Sequence, residues 1–173
     1  EELYLQRGSF TSLQSIAPLP RLRILSVASN PSLTSLDGIE NLPALEELQA
    51  NKSGIKSLNG VQSLTKLRTV ALMSNQIDNA ALQVFANLRH LEDVILNYNN
   101  VSDIRPLANK PNLRRLQIYS NRVSDITQLM DNTQMELVGV RGAADVPCAQ
   151  IDALRKRLAT TAKVWGPKQC GES

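Results

Sequence analysis

Leucines recur along the chain at Leu22, Leu45, Leu67, Leu91 and Leu113, followed by Met135, at spacings of 23, 22, 24, 22 and 22. A self-similar period of this length marks a chain built from stacked copies of one small unit. Each copy opens L-x-x-L-x-L-x-x-N, clearest in Leu91, Val94, Leu96 and Asn99 and in Leu113, Leu116, Ile118 and Asn121, with Leu67, Val70, Leu72 and Asn75 as a third. The alternation at its centre sends two side chains to one side and their neighbours to the other, as an extended strand requires. A second apolar series follows, as in Val101, Ile104 and Leu107 or Val123, Ile126 and Leu129. Its spacing of three predicts a short 3₁₀ or helical turn on the opposite side. A degenerate opening copy through Leu3, Leu5 and Gly8 and a closing copy through Met135, Val138, Val140 and Ala143 bring the expected strands to seven.

The asparagine column Asn30, Asn75, Asn99 and Asn121 falls where the chain leaves each strand, and a buried carboxamide there can satisfy backbone groups of neighbouring turns. These residues are read as structural. Gly8, Ser53 and Ala143 depart from the column. Ser53 lies inside the array, so local irregularity is expected around it. One extra residue near Pro31 and two near Asn79-Ala80-Ala81 are expected to bulge outward in loops.

These motifs resemble the leucine-rich-repeat family, in the 22-residue class of bacterial internalins and of regulatory subunits of a eukaryotic protein phosphatase. The resemblance covers roughly residues 1–147. It implies an α/β solenoid, a horseshoe with a parallel β-sheet on the concave face and short 3₁₀ or helical turns on the convex face. The opening residues Glu1-Glu2-Leu3-Tyr4-Leu5 enter in mid-repeat, which suggests further residues upstream.

An open solenoid exposes its last apolar layer, so a cap is expected after the repeats, over 148–173. From Pro147 to Leu158 the chain reads as a helix with Ile151, Leu154 and Leu158 on one face and Arg155, Lys156 and Arg157 on the other. Asp145 and Pro147 supply its start signal, and Trp165 is expected to pack over the same layer. Cys148 and Cys170 flank this cap. A disulfide closing the 21 residues between them would be worth about 3 kcal/mol. The alternatives are a reactive thiol at Cys148, near a helix start, and two inert free cysteines. The single histidine, His90, lies far from Cys148 in the solenoid order.

Composition sharpens this picture. With 42% hydrophobic but only 3% aromatic residues among 173, the core must be aliphatic, which suits a layered repeat. The net charge of +3 resides in the cap, where Arg155, Lys156, Arg157, Lys163 and Lys168 face Asp152 and Glu172. Subtracting these five and two from 19 and 16 leaves 14 of each sign over 1–147, so no basic stripe for nucleic acid is expected. No apolar run reaches the roughly 18 residues of a membrane span, and no signal peptide opens the chain.

On the concave face, the position between the two core residues of each strand reads Tyr4, Ser26, Gln49, Ala71, Ile95, Gln117 and Gly139. The column before it reads Ile24, Glu47, Thr69, Asp93, Arg115 and Leu137; the column after it reads Gln6, Ala28, Asn51, Met73, Asn97, Tyr119 and Arg141. Tyr and Arg are favoured interface anchors. The candidate protein-binding patch is therefore Met73, Asp93, Ile95, Asn97, Tyr98, Arg115, Gln117 and Tyr119, set against the alternative of an unspecialised strand surface. H-E-x-x-H, G-x-S-x-G and G-x-x-x-x-G-K are absent from the sequence, and no cofactor or metal is expected. The acidic pairs Glu46-Glu47 and Glu92-Asp93 point to opposite faces and read as solvated strand flanks.

The resulting expectation is a non-enzymatic module that binds a protein partner through its concave face. A disulfide would place it in an oxidising compartment, secreted, periplasmic or at a cell surface. Asn51-Lys52-Ser53 and Asn100-Val101-Ser102 match the glycosylation sequon, but a glycan on concave Asn51 would obstruct binding, which favours a bacterial source. The alternatives are a cytoplasmic regulatory subunit docking on an enzyme, a structural spacer of a larger surface protein, and an enzyme using Cys148 as nucleophile.

Overall fold

The computed structural model describes residues 1–142 and 146–171. Its strands are three residues each: β1 (Glu2–Tyr4), β2 (Ile24–Ser26), β3 (Glu47–Gln49), β4 (Thr69–Ala71), β5 (Asp93–Ile95), β6 (Arg115–Gln117), β7 (Leu137–Gly139) and β8 (Lys163–Trp165). They form one open parallel sheet in chain order, each pairing with the next in direct register. Each strand returns to the next through a convex turn. These turns carry 3₁₀ segments at Ile39–Asn41, Val61–Ser63, Gln83–Asn87, Arg105–Leu107 and Thr127–Leu129. The fold is a leucine-rich-repeat solenoid.

The two apolar series meet between sheet and turns. Leu45, Leu48, Ala50, Ile55, Val61 and Leu64 are wholly buried, and so are Leu67, Val70, Leu72 and Ile77, then Leu91, Val94, Leu96 and Val101, in the repeats that follow. The 24-residue repeat accommodates its two extra residues in a helical turn, α1 (Asn79–Leu82), whose first turn is capped by Asp78 accepting from the Ala81 N–H at 2.9 Å. Phe85, a fully buried aromatic side chain, fills the wider layer behind it.

Leaving each of β1 to β6, the chain turns sharply through a left-handed residue. Arg7, Ser29, Lys52, Ser74, Tyr98 and Ser120 all lie at φ between 51° and 61°. Non-glycine residues adopt this conformation at a cost, and after Ser29, Ser74, Tyr98 and Ser120 the next side chain, an asparagine, bridges neighbouring turns. Asn99 donates to the carbonyls of Leu72 (2.9 Å), Leu96 (3.0 Å) and Asn97 (3.3 Å) and accepts from the Ile77 N–H at 2.9 Å, tying adjacent repeats together. Asn75 and Asn121 make the same set one repeat to either side. Asn30 donates to Leu5, Val27 and Ala28, while its Oδ1 is buried without a hydrogen-bond donor.

Ser53 does not loosen the stack as expected, for β2, β3 and β4 keep unbroken register. Its hydroxyl stands in for the carboxamide, donating to the Val27 carbonyl and accepting from the Asn30 N–H, both at 3.3 Å. Ala143, a further departure from the column, and Asp145 of the helix-start signal lie outside the described residues.

The cap corrects two expectations. It contributes an eighth strand, so the described sheet exceeds the seven counted from the repeats. Trp165 does not pack over the last apolar layer. It is the third residue of β8, opposite Gly139, with its side chain on the concave column, and the buried residue of β8 is Val164. The reason is alternation: Val164 occupies the inward position, which forces its neighbours Lys163 and Trp165 outward. The helix α2 (Cys148–Arg157) places Ile151 and Leu154 over the end of the core, with Leu158 just beyond it also buried. A disulfide joins Cys148 to Cys170. Arg155 donates to the carbonyls of Val164 (3.2 Å), Cys170 (3.1 Å) and Gly171 (2.8 Å), covering part of the outer edge of β8.

Candidate functional site

Direct register along the sheet aligns corresponding side chains in columns across the concave face. Of the candidate patch, Met73, Asp93, Ile95, Gln117 and Tyr119 are half-buried, and Arg115 and Tyr98 are exposed, Tyr98 at 58%. Asp93 and Arg115, opposite each other on β5 and β6, form an ion pair at 3.2 Å. Burial pushes the Asp93 carboxyl up, and the Arg115 guanidinium works against that shift. Burial also raises the Tyr119 phenol.

Asn97 does not belong on the accessible patch. It is only 5% exposed; its Oδ1 accepts the Tyr119 N–H at 2.7 Å and its Nδ2 donates to Gln117 Oε1 at 3.3 Å. Asn51 holds the Met73 N–H in the same way at 2.7 Å. A side chain just past the strand end lies beside a backbone N–H of the next strand, and a carboxamide there is drawn to it. Tyr98 occupies the left-handed turn three residues past the end of β5 and is exposed.

Two groups on or beside the face escape sequence reasoning. The first lies at its carboxyl-terminal end. The Tyr119 ring leans over Gly139, and the Arg141 guanidinium stands 5.7 Å from the centre of the Trp165 ring, within cation–π range. Lys163 lies beside Trp165 on the exposed side of β8. Β8 follows β7 by 26 residues, too far for the 22-residue period, so only its apolar centre flanked by exposed residues could have signalled it.

The second group is a charge ladder on the leading edge of the sheet, where the sequence suggested only solvated flanks for Glu46 and Glu92. Arg23 pairs with Glu46 at 2.8 Å, Arg68 with Glu92 at 2.9 Å, and Arg114 with Glu136. The Arg23 hydrogen bonds hold the Glu46 carboxyl below its usual range. The alternation of Arg and Glu one position after each leading leucine is visible in the sequence. Exposed pairs of this kind add little stability. Beside them lies a shallow groove of about 230 Å³ between Glu2, Glu47, Arg23 and Arg68.

Behind the face, Lys110 is buried. Its ammonium donates to the carbonyls of Phe85 (2.7 Å) and Ala86 (2.6 Å) at the end of a convex turn, and burial lowers its proton affinity. Among the described residues no group of three His, Cys, Asp or Glu side chains is placed to hold a metal, and no helix is long and apolar enough to cross a membrane.

Comparisons with known proteins agree with this architecture. Residues 89–129 match the family described as Leucine Rich repeats (2 copies), and residues 63–86 match Leucine Rich repeat. The human leucine-rich repeat-containing protein 56 is 30% identical over 130 residues, 74% of this chain and 24% of that protein. The chain spans a third or less of the relatives it matches in this way. Among solved structures, an internalin (InlF) of Listeria monocytogenes superposes with a TM-score of 0.70 at 20% identity, covering 84% of this chain and 48% of that one. A chain of the octameric complex of Latrophilin 3, Unc5D and FLRT2, in which FLRT2 is the leucine-rich-repeat component, superposes at 0.67 and 18% identity, covering 94% and 51%. The repeat period, the single parallel sheet and these matches together place the chain in the leucine-rich-repeat family.

Proposed function

We propose that this chain is a protein-recognition module that catalyses no reaction and holds a protein partner on its concave face. The observation that carries the reading is the face itself. Eight strands at about 4.8 Å spacing extend roughly 34 Å, long enough for a standard protein interface. The surface is shallow rather than enclosed, which suits a protein better than a small molecule. Its accessible anchors are Met73, Asp93, Ile95, Tyr98, Arg115, Gln117 and Tyr119, joined by Arg141 and Trp165. The FLRT2 repeat, found in complex with other proteins, is consistent with this use of the fold.

Affinity capture tests the reading. Wild-type protein and the variants Tyr98→Ala and Tyr119→Ala, matched for thermal stability, are compared as bait. A protein held by the wild type and lost by both variants supports concave recognition. Equal capture by all three would move the contact to another surface, and no captured protein would leave a structural spacer as the better description.

The Cys148–Cys170 bridge supports placement in an oxidising compartment, secreted, periplasmic or at a cell surface. Intact mass after alkylation of denatured, unreduced protein tests this. No added label is expected; two labels would favour the cytoplasmic regulatory-subunit reading.

A further inference from the structure

We infer that Asn59, on the convex side, is a site of spontaneous covalent modification, where the folded chain closes to a cyclic imide and reopens as aspartate and isoaspartate with loss of ammonia. The site is independent of the concave face and of any partner held there.

Two successive convex turns are copies of one another. Ser35-Leu36-Asp37-Gly38-Ile39-Glu40 is followed one period later by Ser57-Leu58-Asn59-Gly60-Val61-Gln62. Each opens with a serine hydroxyl accepting the N–H two residues on, at 3.0 Å from Asp37 and 3.3 Å from Asn59. Each enters its 3₁₀ segment through a left-handed glycine, at φ 101° and 90°. They differ in how that glycine is held. Glu40 folds back so that its Oε2 accepts the Gly38 N–H at 2.9 Å. Its counterpart Gln62 is exposed, and among the described residues no acceptor holds the Gly60 N–H. Asp37 is half-buried, whereas Asn59 is exposed and its carboxamide has no hydrogen-bond partner among the described residues. Asn59-Gly60 is the only Asn-Gly pair of the chain.

A free carboxamide followed by a free backbone N–H without a β-carbon is what imide formation requires. The Gly60 nitrogen attacks Asn59 Cγ. As the N–Cγ bond forms, the Cγ–Nδ2 bond breaks, and Nδ2 leaves as ammonia with the proton given up by the Gly60 nitrogen. Water, the sole co-reactant, then opens the imide. Addition at Cγ restores the original backbone with aspartate at position 59. Addition at the main-chain carbonyl of residue 59 breaks its bond to the Gly60 nitrogen, so the chain runs through the side chain and is one atom longer. The two products fit differently. Aspartate is what the preceding turn already carries at Asp37, in the same backbone conformation. Isoaspartate lengthens the chain between Leu58 and Val61, whose side chains are 1% and 0% exposed and fixed in the core, so it loosens this turn.

Ageing the folded, disulfide-intact protein at mildly alkaline pH, well below its unfolding temperature, tests the site. Peptide maps taken over weeks are read by mass spectrometry, with aspartate and isoaspartate separated by chromatography. Asn59 is expected to exchange its amide for an acid several-fold faster than any other asparagine, giving both products. Asn59→Gln should abolish the change. Gln62→Glu, which restores the clasp present at Gly38, should slow it several-fold while the Asn-Gly pair stays intact. Gly60→Ala is unsuitable, because a β-carbon there would lie 2.5 Å from Glu40 Oε2. Circular dichroism confirms that each variant is folded. Conversion of Asn59 only after denaturant is added, or no faster than that of the other asparagines, would overturn the inference. Equal rates in the wild type and Gln62→Glu would overturn it as well, by showing that the free Gly60 N–H does not govern the reaction.

Discussion

The ring of Tyr119, two residues past the end of β6, lies across Gly139 on β7, so close that a β-carbon at position 139 would fall 2.6 Å from the tyrosine Cζ. Gly139 is therefore needed for space on the concave face rather than for an unusual backbone angle. Gly139→Ala should displace the ring and destabilise the protein by about 1 kcal/mol, the lower end of what overpacking costs where one neighbour can swing toward solvent. In a Tyr119→Ala background the same change should cost much less, and a double-mutant cycle by urea denaturation measures the difference. Equal costs in both backgrounds would mean that the ring does not rest on Gly139.

The asparagine column predicts a graded series. Asn99→Ala strands the Ile77 N–H and removes donors from three carbonyls, so a loss of about 2–3 kcal/mol is expected. Asn30→Ala should cost less, because the Asn30 Oδ1 receives no hydrogen bond and only its amide is lost. Urea midpoints of the two variants, compared at equal slope, check the order.

Lys110 predicts a pH dependence of definite sign. Burial, with a smaller contribution from Arg89, depresses its folded-state affinity for the proton, while in the unfolded chain a lysine titrates near 10.4. Between these two values the unfolded state binds more protons, so stability rises as pH climbs through the window; below it the cost of the buried charge is constant. Lys110→Met removes this titration. The stability difference, wild type minus variant, should therefore increase from neutral pH toward pH 10 in chemical denaturation. A flat difference would show that the ammonium pays no burial cost.

The cap predicts a local effect of reduction. The disulfide spans 22 positions in sequence, and opening it should cost about 3 kcal/mol. In a solenoid each layer contacts only its neighbours, so the loss should stay near the end. Amide exchange after mild reduction should accelerate in α2 and β8 while β3 to β5 keep their protection. Uniform acceleration along the sheet would contradict a nearest-neighbour architecture.

Much of this molecule is legible in short stretches of its sequence. Leu91, Val94, Leu96 and Asn99 lie within nine residues, and the pattern they make specifies strand, inward face and turn without reference to anything distant. Repetition then specifies the stacking, because each copy has an apolar face that another copy covers. The fold class, the parallel sheet, the convex turns and the asparagine column follow from this local, periodic information. So do the outward columns, whose membership depends only on alternation along a strand.

What lay beyond the sequence depends on neighbours one repeat away. Asn97 and Gln117 stand in outward columns alike, yet Asn97 sits where its carboxamide meets the Tyr119 N–H, and it is buried. Lys110 reads as a surface lysine until Phe85 and Ala86, some 25 residues earlier, present their carbonyls to it. Trp165 lies outside the period because the helix of the cap intervenes, and only the return of the chain beside β7 puts it on the concave face next to Arg141. Alternation and period determined which face each residue takes, because both are properties of the local backbone. Which of those residues remain accessible, and which charges meet, the tertiary structure alone decided, because burial and Coulomb interaction depend on distance in space rather than along the chain.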